Sequence, residues 1–261
     1  MMNWIKPGFH KNPIVVTVPN RTALLADLRA HLAAGQGFSV ATLNLDHVVK
    51  LARDTAFRQA YMAQSHVTAD GNPIVWLARL AGQKDVELVT GSDLVAPVAA
   101  LAAETGTPVA LLGANDETLG AAADTWRARH EGLDVVLTHV PPMGFDPDGP
   151  EAEVAIAAIR DSGAKLVFLA LGAPKQERFA ARAQTELPGV GFLSSGASLD
   201  FVAGTQTRAP RWVRRLALEW LWRLISNPGR FLGRYAACFA ILPGLVFRAL
   251  NTRRQQKVSA P

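Results

Sequence analysis

The chain is poor in cysteine, poor in acid at one end, and lacks most recognised catalytic signatures. A single cysteine, Cys238, stands in 261 residues. That excludes a disulfide framework and any zinc site built on cysteines, and it fits a reducing compartment. The N-terminal run MMNWIKPGFHKNP has no apolar core of signal-peptide type, so a cytoplasmic location is expected. There is no Walker A sequence, no G-x-G-x-x-G behind a strand and no pair of histidines at metal-ligand spacing. GASLD (Gly196–Asp200) is not the G-x-S-x-G elbow of hydrolases. No internal repeat or low-complexity segment occurs. Acid is scarce from Arg208 to Lys257, where ten Arg and one Lys face only Glu219, giving +10. The whole chain is +5, so the rest carries −5. A mildly acidic body with a basic tail suits nucleic acid, anionic lipid or a phosphorylated substrate.

What is present is apolar and periodic. Apolar residues make up 49% of the chain, enough for a sizeable core. Runs of strand length recur at Pro13–Val18, Phe38–Leu43, Val86–Thr90, Pro108–Gly113, Asp134–Val140, Lys165–Gly172 and Gly189–Gly196. Between them lie helical patterns with capping residues at their starts and Gly at several ends, the first from about Asn20. Apolar strands alternating with helices predict a parallel sheet covered on both faces. A catalytic domain is expected over 1–206 and a basic, Trp/Arg-rich helical appendage over 207–261. Trp212, Trp220 and Trp222 lie among arginines there, a break is expected near Asn227–Gly229, and the uncharged run Tyr235–Phe247 follows. As a helix, 13 residues reach only ~20 Å against a ~30 Å hydrocarbon core, and Pro243 predicts a kink. The run therefore suits the membrane interface or a groove. Aromatics that lie with an apolar run argue against nucleic acid.

Four strand-to-helix handovers carry polar residues, and in a parallel sheet such ends share one edge. TLNLDHVVK offers Thr42, Asn44, Asp46 and His47; Asp46 also reads as an N-cap and His47 as a satisfied helix histidine. VTADGNPIVWLARLAG offers Asp70-Gly71, also an ordinary turn pair, and Arg79. VTGSDLV offers Gly91 and Ser92. LALGAPKQERF places Gly172, Lys175 and Gln176 at a helix N-terminus, where free N–H groups and a Lys suit an anion. Gly113 ends another strand. In FDPDG, Asp146 and Asp148 have the spacing of a metal-binding pair, but the intervening Pro and flanking glycines favour a turn.

These stretches, together with VALLGA and GASLDFVAGTQTRAPRWVRRLALEWLWRLISNPGRFLGRY, occur in an order that resembles the WecG/TagA/CpsF glycosyltransferases (glycosyltransferase family 26) from about Pro13 to Tyr235. The resemblance implies a Rossmann-like fold. It implies a bacterial enzyme that inverts and needs no metal or cofactor, moving a hexose from a UDP-sugar to a polyprenyl-diphosphate-linked saccharide of a surface polysaccharide. N-acetylmannosamine, its uronic acid, glucose and glucuronic acid are all compatible donors. It makes Asp70 the base, with Thr42, Asn44 and Gln176 beside the reacting groups. Gly91, Ser92, Gly113, Gly172 and Lys175 become nucleotide-sugar contacts. Arg79, Arg208, Arg211, Arg214, Arg215 and Arg223 are candidates for the acceptor diphosphate, Arg79 equally for a surface ion pair and Arg214 and Arg215 for a solvated face. The expected place is the cytoplasmic face of the inner membrane, peripherally bound, with homo-oligomerisation left open. The rival reading is a non-catalytic nucleotide-binding module that tethers a synthesis complex.

Overall fold

The computed structural model describes residues 1–5, 13–207, 209–210, 212–213, 216 and 218–258. Arg208, Arg211, Arg214 and Arg215 lie outside the described residues. Six strands, β1 (Phe38–Leu43), β2 (His66–Ala69), β3 (Val109–Gly113), β4 (Val135–His139), β5 (Leu166–Ala170) and β6 (Gly191–Ser194), form one parallel sheet in the order β2-β1-β6-β5-β3-β4. The doubly covered α/β sheet anticipated from the sequence is therefore the fold, and it is Rossmann-like.

Alternation along each strand sorts side chains between two helical layers. On one face Phe38, Val40, Leu111 and Phe168 pack with α1 (Arg21–Ala33), α5 (Gly91–Thr105), α6 (Asp116–Arg129) and α9 (Ser198–Ala203). On the other, Ala110, Val167 and Phe192 meet α7 (Pro150–Ser162) and α8 (Lys175–Glu186). Ala41 and Leu43 meet α2 (Leu45–Arg53), α3 (Thr55–Met62) and α4 (Asn72–Leu80). Asn20 caps α1 as expected, its Oδ1 accepting from the Ala23 N–H at 2.9 Å.

Two predicted strands are not strands. Thr17 and Val18 both donate to the Val67 carbonyl, at 3.0 and 3.2 Å, and the Val67 N–H goes to the Thr17 hydroxyl rather than to a backbone oxygen. The run Pro13–Val18 thus never forms a ladder. Within Val86–Thr90, Val89 donates to Ala69 and Glu87 to Pro19, one bond to each neighbour. Both runs instead lie along the outer edge of β2 and cover it, a common way to blunt an edge strand.

At the C-terminus α10 (Glu219–Ser226) is followed by α11 (Pro228–Val258), with the expected break between them. The helix α11 has 31 residues and contains Pro243, so it outruns the 13-residue run by which its length was judged. Its 26-residue segment Phe231–Gln256 holds an 18-residue window of mean hydropathy 1.3, long and apolar enough to cross a membrane by length and composition. The run looked short because Arg234 and Arg248 bound it. Both arginines are turned onto the body: Arg234 pairs with Asp46 at 2.8 Å, and Arg248 donates to the Asn3 carbonyl at 3.4 Å. Leu245 and Ala249 are buried with α2 and α4, while Phe239 and Phe247 remain exposed.

Candidate active site

A cavity of ≈ 1130 Å³ opens at the C-terminal ends of β1, β2, β5 and β6. It exceeds the ~300–1,000 Å³ usual for one small ligand, which leaves room for two substrates. One end is polar, with Thr42, Asn44, Asp70, Ser92, Gln176 and Ser194. The other is apolar, walled by Trp76, Leu88, Trp220, Phe231, Phe239 and Val246 from α4, α10, α11 and the segment before α5.

Register explains the polar end. β1 and β2 pair in step, Leu43 opposite Ala69, and the Asp70 N–H donates to the Leu43 carbonyl at 2.7 Å, one step past the strands. Asp70 is thereby held beside Asn44. The Asn44 side chain serves both sides of the handover. Its Oδ1 accepts from the His47 N–H at 3.0 Å and caps α2, and its Nδ2 approaches Asp70 Oδ2 at 3.5 Å. The Thr42 hydroxyl lies 3.4 Å from the same carboxylate oxygen. Both contacts are long, so the carboxylate is oriented but keeps acceptor capacity. Gly71 follows at φ 98°, in the left-handed region that glycine enters freely, and turns the chain into α4.

Burial pushes the Asp70 carboxyl up to about 6. Asn44, Arg223 and Thr42 pull the other way, and the Glu219 carboxylate adds to the rise. A carboxylate near neutrality at a strand end, facing a cavity, is equipped to accept a proton. Asp46 behaves differently. Burial raises its pKa, but Lys50 at 2.9 Å and Arg234 at 2.8 Å outweigh it and hold the group below its ordinary value. Asp46 is not the N-cap, since Asn44 fills that position; it is the ion-pair anchor between α2 and α11. Burial drives His47 down to about 3, with the nearby Lys50 adding to the fall, so it is a neutral ring 3.1 Å from the Tyr61 hydroxyl.

Gln176 ties two loops together. Its Oε1 accepts from the Gly196 N–H at 3.1 Å and its Nε2 donates to Glu177 Oε1 at 2.9 Å. Glu177 is fully buried, its other oxygen has no hydrogen-bond partner, and burial lifts its carboxyl to about 7 despite the Gln176 bond. Gly91, Ser92 and Gly172 line the cavity, and so does Arg223, which pairs with Glu219 at 2.7 Å.

Three expected contacts fall outside the lining. At Gly113 (φ 114°) a Cβ would stand 2.5 Å from the Ala170 backbone, so its smallness serves the close approach of β3 and β5 rather than of a ligand. Lys175 opens α8 but is not among the lining residues. Arg79 donates to the Val86 carbonyl at 2.9 Å and so fastens α4 to the segment before α5. Asp146 and Asp148 form a turn, the Asp148 N–H bonding Asp146 Oδ1 at 3.1 Å, and both carboxylates pair with Arg178 away from the cavity.

Sequence reasoning missed Arg234, Glu219, Glu177 and Ser194. Glu177 adjoins Gln176 in PKQE and was within sight. The Ser194 hydroxyl, buried and without a hydrogen-bond partner, sits in the apolar-looking GFLSSG run. Arg234 and Asp46 are 188 positions apart, and no local pattern joins them. Over residues 12–259 the chain matches the family described as Glycosyl transferase WecG/TagA/CpsF family.

Proposed function

The chain belongs to the WecG/TagA/CpsF family of glycosyltransferases, and on that premise we propose that it moves a hexose from a UDP-sugar to a polyprenyl-diphosphate-linked saccharide, with inversion and without a metal ion. The observation that carries the reading is the Asp70 carboxylate, raised to about 6 and opening into a cavity large enough for donor and acceptor.

In this reading an acceptor hydroxyl gives its proton to Asp70. The oxygen forms its bond to the anomeric carbon on the face opposite the diphosphate, and the bond to UDP breaks with its electron pair on the phosphate. Thr42 and Asn44 hold the carboxylate in line. The leaving charge must be met by donors set in place beforehand. The described lining carries Asp46, Asp70, Asp93 and Glu219 against Arg223 and Arg234, so two arginines already engaged with acids do not suffice. Arg208, Arg211, Arg214 and Arg215, from the same basic stretch, supply the remaining charge in this proposal. The apolar end of the cavity suits a lipid-linked acceptor. Exposed Trp222, Ile225 and Phe247 suit peripheral contact of the appendage, residues 207–261, with the cytoplasmic face of the inner membrane.

The test is transfer from a panel of UDP-sugars to a soluble lipid-diphosphate acceptor in the presence of a chelator. Product with inverted anomeric configuration is expected. UDP binding without turnover on any acceptor would favour the tethering module instead.

A further inference from the structure

A second cluster of chemically capable side chains lies at the other end of the strands. His66 opens β2 with its side chain 4% exposed. Its Nδ1 is 2.8 Å from the Ser65 hydroxyl. That hydroxyl accepts from the Ser39 N–H at 2.8 Å and has one proton, which it gives to the Ser39 carbonyl at 3.0 Å. Nε2 lies 3.0 Å from Asp27 Oδ2. In the metal-free protein a ring proton spans that gap, and a bound cation would displace it while Nδ1 stays on the Ser65 hydroxyl.

The third member is His31, one turn along α1 from Asp27 on the same helix face. Its ring meets the His66 ring edge-on at 5.5 Å between centroids, and its buried Nδ1 has no hydrogen-bond partner. Ligand atoms of Asp27, His31 and His66 all lie within 4.8 Å of one another. Tetrahedral zinc with bonds of ~2.0–2.2 Å needs donors about 3.4 Å apart; Asp27 and His66 already stand 3.0 Å apart, so the remaining contraction falls on the half-buried His31 ring, met by the exposed Asp27 side chain. An imidazole whose far nitrogen is fixed by a hydroxyl bond to the backbone has the support that metal-bound histidines carry.

We propose that Asp27, His31 and His66 bind a divalent transition cation of the zinc class, which pins the last turns of α1 to the head of the edge strand β2. Two imidazoles and a carboxylate favour zinc, copper or nickel over magnesium or calcium, and the fourth position is left to water. Asp70 leaves the far end of β2 four residues on, about 13 Å away. The cation therefore takes no part in sugar transfer; it steadies the strand that carries the base. The sequence hid the site because Asp27 and His31 are one helical turn apart while His66 follows 35 positions later.

Full-length protein, stripped with a chelator and dialysed, is titrated with Zn²⁺ alone by calorimetry and with Co²⁺ by visible absorption. One saturable site per chain is expected, together with a Zn²⁺-dependent rise in Tm. Ser65→Ala should weaken binding about tenfold through the lost support of His66. His31→Gln, at a half-buried helix position, should abolish both binding and the Tm rise while the apo protein keeps its circular dichroism. Absence of saturable binding, or Zn²⁺ affinity unchanged in His31→Gln and Asp27→Asn, would overturn the assignment.

Discussion

Residue by residue, the polar end of the cavity was largely readable because its parts are close in sequence. Thr42 and Asn44 belong to one handover, Asp70 to the next, and strand pairing does the rest. Asp46 was not readable, because what decides its role is Arg234 from the far end of the chain. Asp70 and Glu177, two of the carboxyls raised by burial, share a sign. Each has a folded pKa above its unfolded value, so its ionisation costs stability as pH rises from about 4 through the folded value. For activity the sign reverses at Asp70, which must be ionised to accept a proton. The expected outcome is a kcat/KM profile falling on the acid side with an apparent pKa of about 6. A profile flat down to pH 5 would place the proton acceptor elsewhere.

At the scale of elements, five of the six strands were legible as apolar runs; β2 (His66–Ala69), four residues opening on a histidine, was not, and two further apolar runs are extended segments outside the ladder. Alternation and length do not separate them. The difference lies in the Thr17 side chain occupying a backbone acceptor's place beside Val67. Gly113 shows the same limit, since a glycine at a strand end reads equally as ligand approach or strand approach. Here the strand approach decides, and Gly113→Ala should therefore destabilise the fold by about 2 kcal/mol or more. Denaturant unfolding measures that loss, and UDP affinity should change little in the fraction that remains folded. A variant of unchanged stability with weakened UDP binding would return Gly113 to the ligand.

On the scale of the whole molecule, charge and apolar surface divide between two regions. The tail from Arg208 to Lys257 carries the excess of arginine. The helix α11 buries Leu245 and Ala249 against the body and leaves Phe247 outward. Basic residues near an anionic leaflet contribute about 1 kcal/mol each. Cosedimentation is thus expected to be stronger with anionic than with neutral vesicles and to weaken with salt. Equal binding to both, insensitive to salt, would assign the association to the apolar face alone. How the helix docks on α2 and α4 was invisible in the sequence, because an exposed and a buried apolar stripe look alike until the partner surface is known.

The most direct measurement compares wild-type protein and Asp70→Asn for UDP affinity by calorimetry and for sugar transfer under identical conditions. The substitution keeps size and removes only the proton-accepting oxygen. UDP should bind both alike, while turnover falls by about 10²–10⁴-fold. Transfer at the wild-type rate by Asp70→Asn would contradict the assignment of Asp70 as the base.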